Sequence, residues 1–205
     1  MKKYAVLHEP GDIVTLAGTR FVVLDVERRG SLPDSLFLLA LESVGASEFG
    51  SSNNYAESDL KKAVDKWLED MGKRGLDNAK LIPREIDLTT LDGSGCYGKL
   101  SVKAAPLTLD EAREYADIIP NAERWCWLAT GWSGPSKSDG GFRSALYVSS
   151  NGDWNNGDCS SSVGVRPALK IPSDLLLDSA DKPDLSEVPT DTLLEEIRRR
   201  VVDKA

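Results

Sequence analysis

The sequence predicts an α+β domain. Three observations carry this reading. β-Branched runs flank turn residues over residues 13–26, two stretches with apolar residues at helical spacing follow, and short strands separated by polar loops occupy residues 125–171. With 205 residues, 40% of them hydrophobic and 28% charged, the chain is long and apolar enough for one packed domain with appendages, placed at residues 1–171.

The first hairpin is read at Ile13-Val14-Thr15-Leu16 and Phe21-Val22-Val23-Leu24, across an Ala17-Gly18 turn. Residues 36–44 form a third apolar strand, set off by Gly30, Ser31 and Pro33. Ser58 is placed to cap a helix whose inward stripe is Leu60, Ala63, Val64, Trp67, Leu68 and Met71; Gly72 and Gly75 end it. Residues 81–92 contain Pro83 and alternate weakly, which predicts irregular chain with one short strand. Thr108-Leu109-Asp110-Glu111 is a capping box. It opens a second helix with Leu109, Ala112, Ala116 and Ile119 inward and Pro120 as its stop. Further strands are predicted at 125–130, at 144–150 before an Asn151-Gly152 hairpin turn, and at 163–171, where Pro167 points to an edge or a bulge. Residues 172–189 hold three prolines and five acids and read as a linker. Residues 190–205 read as a C-terminal amphipathic helix. Its stripe is Leu193, Leu194, Ile197 and Val201, with acids early and Arg198, Arg199 and Arg200 late.

Composition excludes several classes. The net charge of −8 repels phosphate backbones and argues against a nucleic-acid partner. No apolar run approaches the roughly 20 residues that span a bilayer, so no membrane insertion is expected. The apolar stretch after Lys2 and Lys3 is too short for a signal peptide, which predicts a cytoplasmic protein or a component of a phage particle. Cys96, Cys126 and Cys159 are too widely spaced for a disulfide framework or a zinc site and read as reduced thiols.

Residues 131–162 are the distinctive segment. Nine serines, six glycines, three asparagines and three aspartates fill 21 of its 32 positions, a composition that usually means disorder. Yet Trp132, Phe142, Tyr147 and Trp154 are interspersed, and strands bracket it. Small polar residues with spaced aromatics suit an adaptable recognition surface, because aromatics give contact area at low entropy cost and Ser, Gly and Asn give hydrogen bonds. A long solvated loop that holds core aromatics explains the same composition.

Trp125-Cys126-Trp127-Leu128, Gly141-Phe142-Arg143-Ser144, Tyr147-Val148, Gly152 and Gly164-Val165-Arg166-Pro167-Ala168-Leu169 resemble a bacterial and phage domain family of uncharacterised function. That family typically ends in a tryptophan-rich strand, a hairpin and the run GVRPAL. Its end looks like the C-type-lectin fold in the formylglycine-generating-enzyme-like branch. The resemblance implies a C-type-lectin-like fold with two helices, a small twisted antiparallel sheet and long loops. The variable proteins of diversity-generating retroelements belong to that branch. In them an error-prone reverse transcriptase rewrites adenine-containing codons, and the fold displays the changed residues on one ligand-binding face. The specific part of the resemblance covers residues 125–171; residues 172–205 lie outside it.

The resemblance implies a division of roles. Trp125, Trp127, Tyr147, Val148, Gly152, Gly164, Val165 and Arg166 are expected as scaffold, with Arg166 satisfying loop carbonyls as a buried guanidinium. The expected ligand-binding set is Trp132, Ser133, Ser136, Ser138, Asp139, Ser149, Asn151, Asp153, Trp154, Asn155, Asn156, Asp158, Ser160 and Ser161. Asparagine codons begin with two adenines, the substrate of that mutagenesis; an ordinary Asn-Asn-Gly turn explains Asn155-Asn156 equally well. The implied function is recognition of a protein or cell-surface ligand, without catalysis, metal or cofactor.

Rival chemistries remain open at this stage. The resembled branch includes a copper-dependent thiol oxidase, which needs two converging cysteines. Cys126 and Cys159 are the pair in question, the alternative being a small buried hydrophobe and a loop residue. Asn151, Asp153, Asn155 and Asp158 offer oxygens for calcium, and a calcium- or carbohydrate-dependent lectin-like module is one alternative function. The stretch departs from an EF-hand loop at Asn156 and Ser162, and turn chemistry explains the same residues. The tail helix docks on its own domain, on a second copy or on a partner; a structural or assembly protein of a phage or mobile element is the other alternative. His8 is the only histidine, which leaves His-based catalysis one possible centre.

Overall fold

The computed structural model describes residues 2–4, 8–29, 32–136, 140–173 and 175–179. In chain order the elements are β1 (Lys2–Tyr4), β2 (Ile13–Leu16), β3 (Thr19–Arg29), β4 (Leu32–Ala40), β5 (Ala46–Ser47), α1 (Asp59–Lys73), β6 (Arg84–Asp87), β7 (Lys99–Val102) and β8 (Ala104–Ala105). They continue with α2 (Leu109–Glu114), β9 (Cys126–Gly131), β10 (Ser144–Val148), β11 (Trp154–Asp158), β12 (Val163–Gly164), β13 (Ala168–Pro172) and β14 (Leu176–Ser179). The fold is α+β and mainly β. A seven-stranded antiparallel sheet runs β1-β14-β2-β3-β4-β13-β8, a five-stranded sheet runs β11-β10-β9-β12-β5, and β6 and β7 form a ribbon. Only the β12–β9 pair is parallel among the described strands.

Strand alternation gives the larger sheet two apolar faces. Phe21, Val23, Leu36 and Leu38 face α1, which inserts Leu60, Val64, Trp67 and Met71, with Phe21 and Trp67 rings 6.3 Å apart. Val22, Leu24, Phe37 and Leu39 face the other way, onto Leu109 and Ala112 of α2 and onto Leu128 and Leu146 of the smaller sheet. Each fully buried aliphatic side chain contributes about 1.5–3 kcal/mol. The smaller sheet is therefore pinned by both cores: Trp127, Ala129, Ala145 and Tyr147 enter the first, Leu128 and Leu146 the second.

Local signals place several elements as expected. Ser58 caps α1 by accepting from the Lys61 amide at 2.9 Å. Thr108 and Glu111 form the reciprocal capping box, at 3.2 and 2.8 Å. Ala17 and Gly18, with φ of 47° and 76°, form the two-residue turn between β2 and β3.

Elsewhere tertiary pairing overrides the local reading. Two sheets and a ribbon replace the one small sheet expected, because short segments of low β propensity gain backbone partners far along the chain. The third strand lies earlier than residues 36–44, since Leu41 onward turns away to carry Val44 to the Val165 carbonyl. Helix α2 ends at Glu114, so Ala116 is exposed and not part of a buried stripe. The chain turns there so that Tyr115 can meet Phe37 edge-on, ring centroids 5.7 Å apart. The strand expected over 163–171 is broken: β12 and β13 belong to different sheets, and Pro167, which has no N–H, offers its carbonyl to the Ala40 amide. Leu176–Ser179, inside the expected linker, is a strand between β1 and β2. The expected tail helix at 190–205 lies outside the described residues.

Ala17 occupies a left-handed conformation that costs an L-residue with a Cβ about 1 kcal/mol, whereas asparagine tolerates it and suits position one of this turn. Ala17→Asn should therefore raise stability by about 0.5–1 kcal/mol, read as a higher urea midpoint with an unchanged slope.

Candidate ligand-binding face

Strand β9 is buried along its whole length and anchors the segment rich in serine and glycine. Trp127 donates its indole N–H to the Ser47 carbonyl at 3.0 Å and packs edge-on against Phe49 and Tyr147, at 5.6 and 6.1 Å. From Gly131 the chain leaves the sheet and returns at Ser144. Asn53, only 1% exposed, ties the two ends together. Its Nδ2 lies 3.0 Å from the Ser133 carbonyl, 2.9 Å from that of Ser144 and 3.2 Å from that of Gly141. Its backbone amide donates to the Phe142 carbonyl, and its Oδ1 accepts the Tyr97 hydroxyl at 2.7 Å. A Cβ on Gly131 would stand 2.6 Å from Asn53 Cγ, so glycine is required for this approach.

β10 and β11 form a hairpin closed by residues 149–153, with Val148 opposite Trp154 and Ser144 opposite Asp158. The Asn151-Gly152 signal is realised as a longer loop, with Gly152 at φ 90° beside Asn121. β11 is the edge strand and carries exposed Trp154, Asn155 and Asp158. Alternation sends Trp154, Asn156 and Asp158 to the side of α2, and Asn155 and Gly157 to the side of Tyr147. Accordingly the Arg113 guanidinium of α2 lies 5.5 Å over the Trp154 ring.

The structure divides the expected ligand-binding set. Ser149, Asn151, Asp153 and Trp154 gather at the hairpin tip, with Asn155 and Asn156 along β11. Trp132 and Asp158 lie at the other end of β10: the Trp132 amide donates to the Ser144 carbonyl, and Asp158 is Ser144's partner. Trp154 and Trp132 are 41% and 38% exposed, yet the length of β10 separates them, about 13 Å at strand rise. Ser160 and Ser161 follow Asp158 and are exposed, as is Ser136. Ser133 is not displayed. It is buried and its Oγ has no partner, because Asn53 draws its carbonyl inward. Ser138 and Asp139 lie outside the described residues. Trp125, expected as scaffold, is 52% exposed and stacks flat on Tyr147 at 5.0 Å. Asn53 and Trp125 as a surface aromatic escaped sequence reading, since neither sits in a local pattern that reveals its partner.

The polar side chains here make turns. Asn151 Nδ2 donates to Asp153 at 2.6 Å, and Asn155 Oδ1 accepts the Asn156 amide at 2.8 Å. The Ser160 hydroxyl and amide, bonded to Asp158 Oδ1 at 2.7 and 2.8 Å, hold that carboxyl below its usual range. Among the described residues no group of three or more His, Cys, Asp or Glu side chains could hold a metal. All three cysteines are free. Cys126 is buried next to Gly164, and Cys159 is buried although it lies in a turn. His8 is buried too, with Nδ1 3.2 Å from Asp12. No described helix is long and apolar enough to cross a membrane.

Arg166 fills the scaffold role expected of it. Its Nε and Nη2 donate to the Ala40 and Leu41 carbonyls at 2.8 and 3.0 Å, where β4 leaves its sheet. Comparison with protein-family models, with curated proteins and with solved structures finds no match for this chain.

Two predictions follow from these contacts. Asn53→Ala removes the amide that bridges the Ser133, Ser144 and Gly141 carbonyls and the acceptor of the Tyr97 hydroxyl, so stability should fall by about 3 kcal/mol and the melting midpoint by about 10 °C, measured by calorimetry. Burial pushes the Cys126 thiol up to about 11 and the Cys159 thiol up to about 12, while Cys96 is exposed. Iodoacetamide at about pH 8 should therefore label Cys96 alone in the folded protein and all three thiols in urea, counted by intact mass.

Proposed function

We propose that this chain is a non-catalytic recognition protein with a C-type-lectin-like fold of the formylglycine-generating-enzyme-like branch, whose displayed surface is diversified by a retroelement and binds a protein or cell-surface target. One observation carries the reading: the edge strand β11 and the hairpin tip project polar side chains and an indole to solvent, while Trp127, Tyr147 and Asn53 hold the backbone from behind. Trp154 supplies the large contact area, and Asn151, Asp153, Asn155 and Asn156 supply adaptable hydrogen bonds. A surface of this kind changes specificity without loss of the fold, because its side chains are not part of either core.

The reading is tested by a library randomised at Asn151, Asp153, Trp154, Asn155, Asn156, Asp158, Ser160 and Ser161. Most members should fold, with melting midpoints within about 3 °C of the parent, and selection on unrelated protein targets should yield binders. General unfolding of the library members overturns the reading. The gene supplies a second arm. A near-copy of the codons for 125–171, differing at template adenines and beside a reverse transcriptase gene, is expected; its absence removes diversification from the proposal. Glycan binding abolished by a calcium chelator would instead assign a calcium-dependent lectin.

A further inference from the structure

A cavity of about 100 Å³ opens between the end of α2 and the β10–β11 connection. Its walls are mainly apolar, with Ala112, Ile119 and Val148, while Asn121 and Ser149 add polar groups and Trp154 stands at its margin. A further space of about 30 Å³ adjoins it, sharing Ala112, Ile119, Val148 and Arg166, and reaches Leu107 and Leu128 of the second core. Together they have room for a few waters or a small organic molecule.

Arg166 lines both spaces and is 7% exposed. A guanidinium carries five N–H donors. Two hydrogen bonds engage Nε and Nη2, both to backbone carbonyls, which are neutral acceptors. Among the described residues no carboxylate lies within 4.0 Å of it. Glu42 acts on it only from farther away, and the neighbouring Cys126 thiol is neutral because burial raises it to about 11. The contrast is Arg84, the other buried arginine among the described residues, which meets the Glu111 carboxylate directly. A buried cation without a counter-ion is costly, and the cost is relieved by an anion that reaches it. A second cation, Arg113, lies over Trp154 at the margin.

We propose that this cavity binds an aliphatic carboxylate, its carboxylate on the Arg166 guanidinium and its alkyl chain against Ala112, Ile119 and Val148. The guanidinium fork matches the two carboxylate oxygens, and the cavity with its adjoining space accepts a short alkyl chain. The site shares Trp154 and Ser149 with the hairpin tip but is centred on Arg166, which is not part of the displayed set, so it stands whether or not β11 recognises a macromolecule. The same chemistry is offered by a free short-chain acid and by the C-terminus of a peptide.

The experiment is an NMR titration of the full chain, following the Arg166 Nε–H and Trp154 indole N–H resonances. The probes are acetate, butyrate, butyramide and a valine-terminated peptide with a free or amidated C-terminus. Butyrate should give saturable shifts and bind about ten-fold tighter than acetate, as expected for two more buried methylenes. Butyramide and the amidated peptide should give none. Tighter binding of the free-ended peptide than of butyrate assigns a chain terminus; the reverse order assigns a free acid. Because Arg166→Gln also removes the donors to Ala40 and Leu41, the mutational arm is Ala116→Phe, at an exposed position on the cavity wall. It should abolish the butyrate shifts with the remaining spectrum intact. Equal shifts from butyrate and butyramide, no saturable shift up to about 50 mM, or undiminished binding by folded Ala116→Phe overturns the proposal.

Discussion

The carboxamide of Asn53 is the constraint on which the rest of the candidate face depends. Residues 131–144 have the composition of a chain that stays unfolded, and ordering each residue costs about 1–2 kcal/mol in backbone entropy. No apolar cluster within that stretch offsets the cost. The offset comes from outside it: the buried Asn53 side chain from before α1 donates to three carbonyls of the segment, its backbone amide donates to a fourth, that of Phe142, and Tyr97 locks the carboxamide's orientation from the opposite side. The register between β9 and β10 shifts between Ala145 and Tyr147, close to where this clamp holds the chain. Gly131 and Asn53 are therefore one device, since the close approach exists only where a Cβ is missing.

Two buried arginines do related work with different charge balance. Arg84 donates to the Ala105 and Pro106 carbonyls just before α2 and is neutralised by Glu111, itself half of the capping box. One ion pair thus joins β6, β8 and the start of α2. Arg166 satisfies carbonyls where β4 ends and stitches the strand break at Pro167, but it has no such acid. Both fix places where a strand stops pairing and its carbonyls would be orphaned. That shared need explains why a chain of net charge −8 still places two guanidinium groups inside among the described residues.

What was legible in the sequence was local. The Ala17-Gly18 turn, the Ser58 cap and the Thr108–Glu111 box need only neighbours within four positions, and each forms. Leu60, Val64, Trp67 and Met71 show their shared face by spacing alone. What was hidden depends on remote partners. Ala104-Ala105 has little strand preference and becomes β8 only because Ala168 and Leu169 of β13 lie alongside. Trp154–Asp158 becomes β11 because β10 offers an unpaired edge. Asn53 gave no signal, being one asparagine in a polar stretch whose acceptors lie eighty or more positions away. The candidate site was legible as a segment, since exposed indoles and turn-forming side chains are there. Its division into a tip and a base, and the inward turn of Ser133, required the register.

That register also limits how the proposed ligand face can engage a partner. Gly157 lies within β11, yet a Cβ there would stand 3.3 Å from Tyr147 and 3.4 Å from Trp127, so this position belongs to the frame. The residues on either side, Asn156 and Asp158, point to the side of α2, whereas Asn155 shares the side of Tyr147 and the Trp125 stack. A ligand seated on the α2 side meets Trp154, Asn156 and Asp158 with Arg113; one seated on the other side meets Asn155 with Trp125. The strand is too thin to present both sets to one flat partner. Simultaneous use of both sides therefore requires a partner that wraps the edge of β11, and the open backbone of that edge strand supplies the hydrogen bonds along which such a partner can pair.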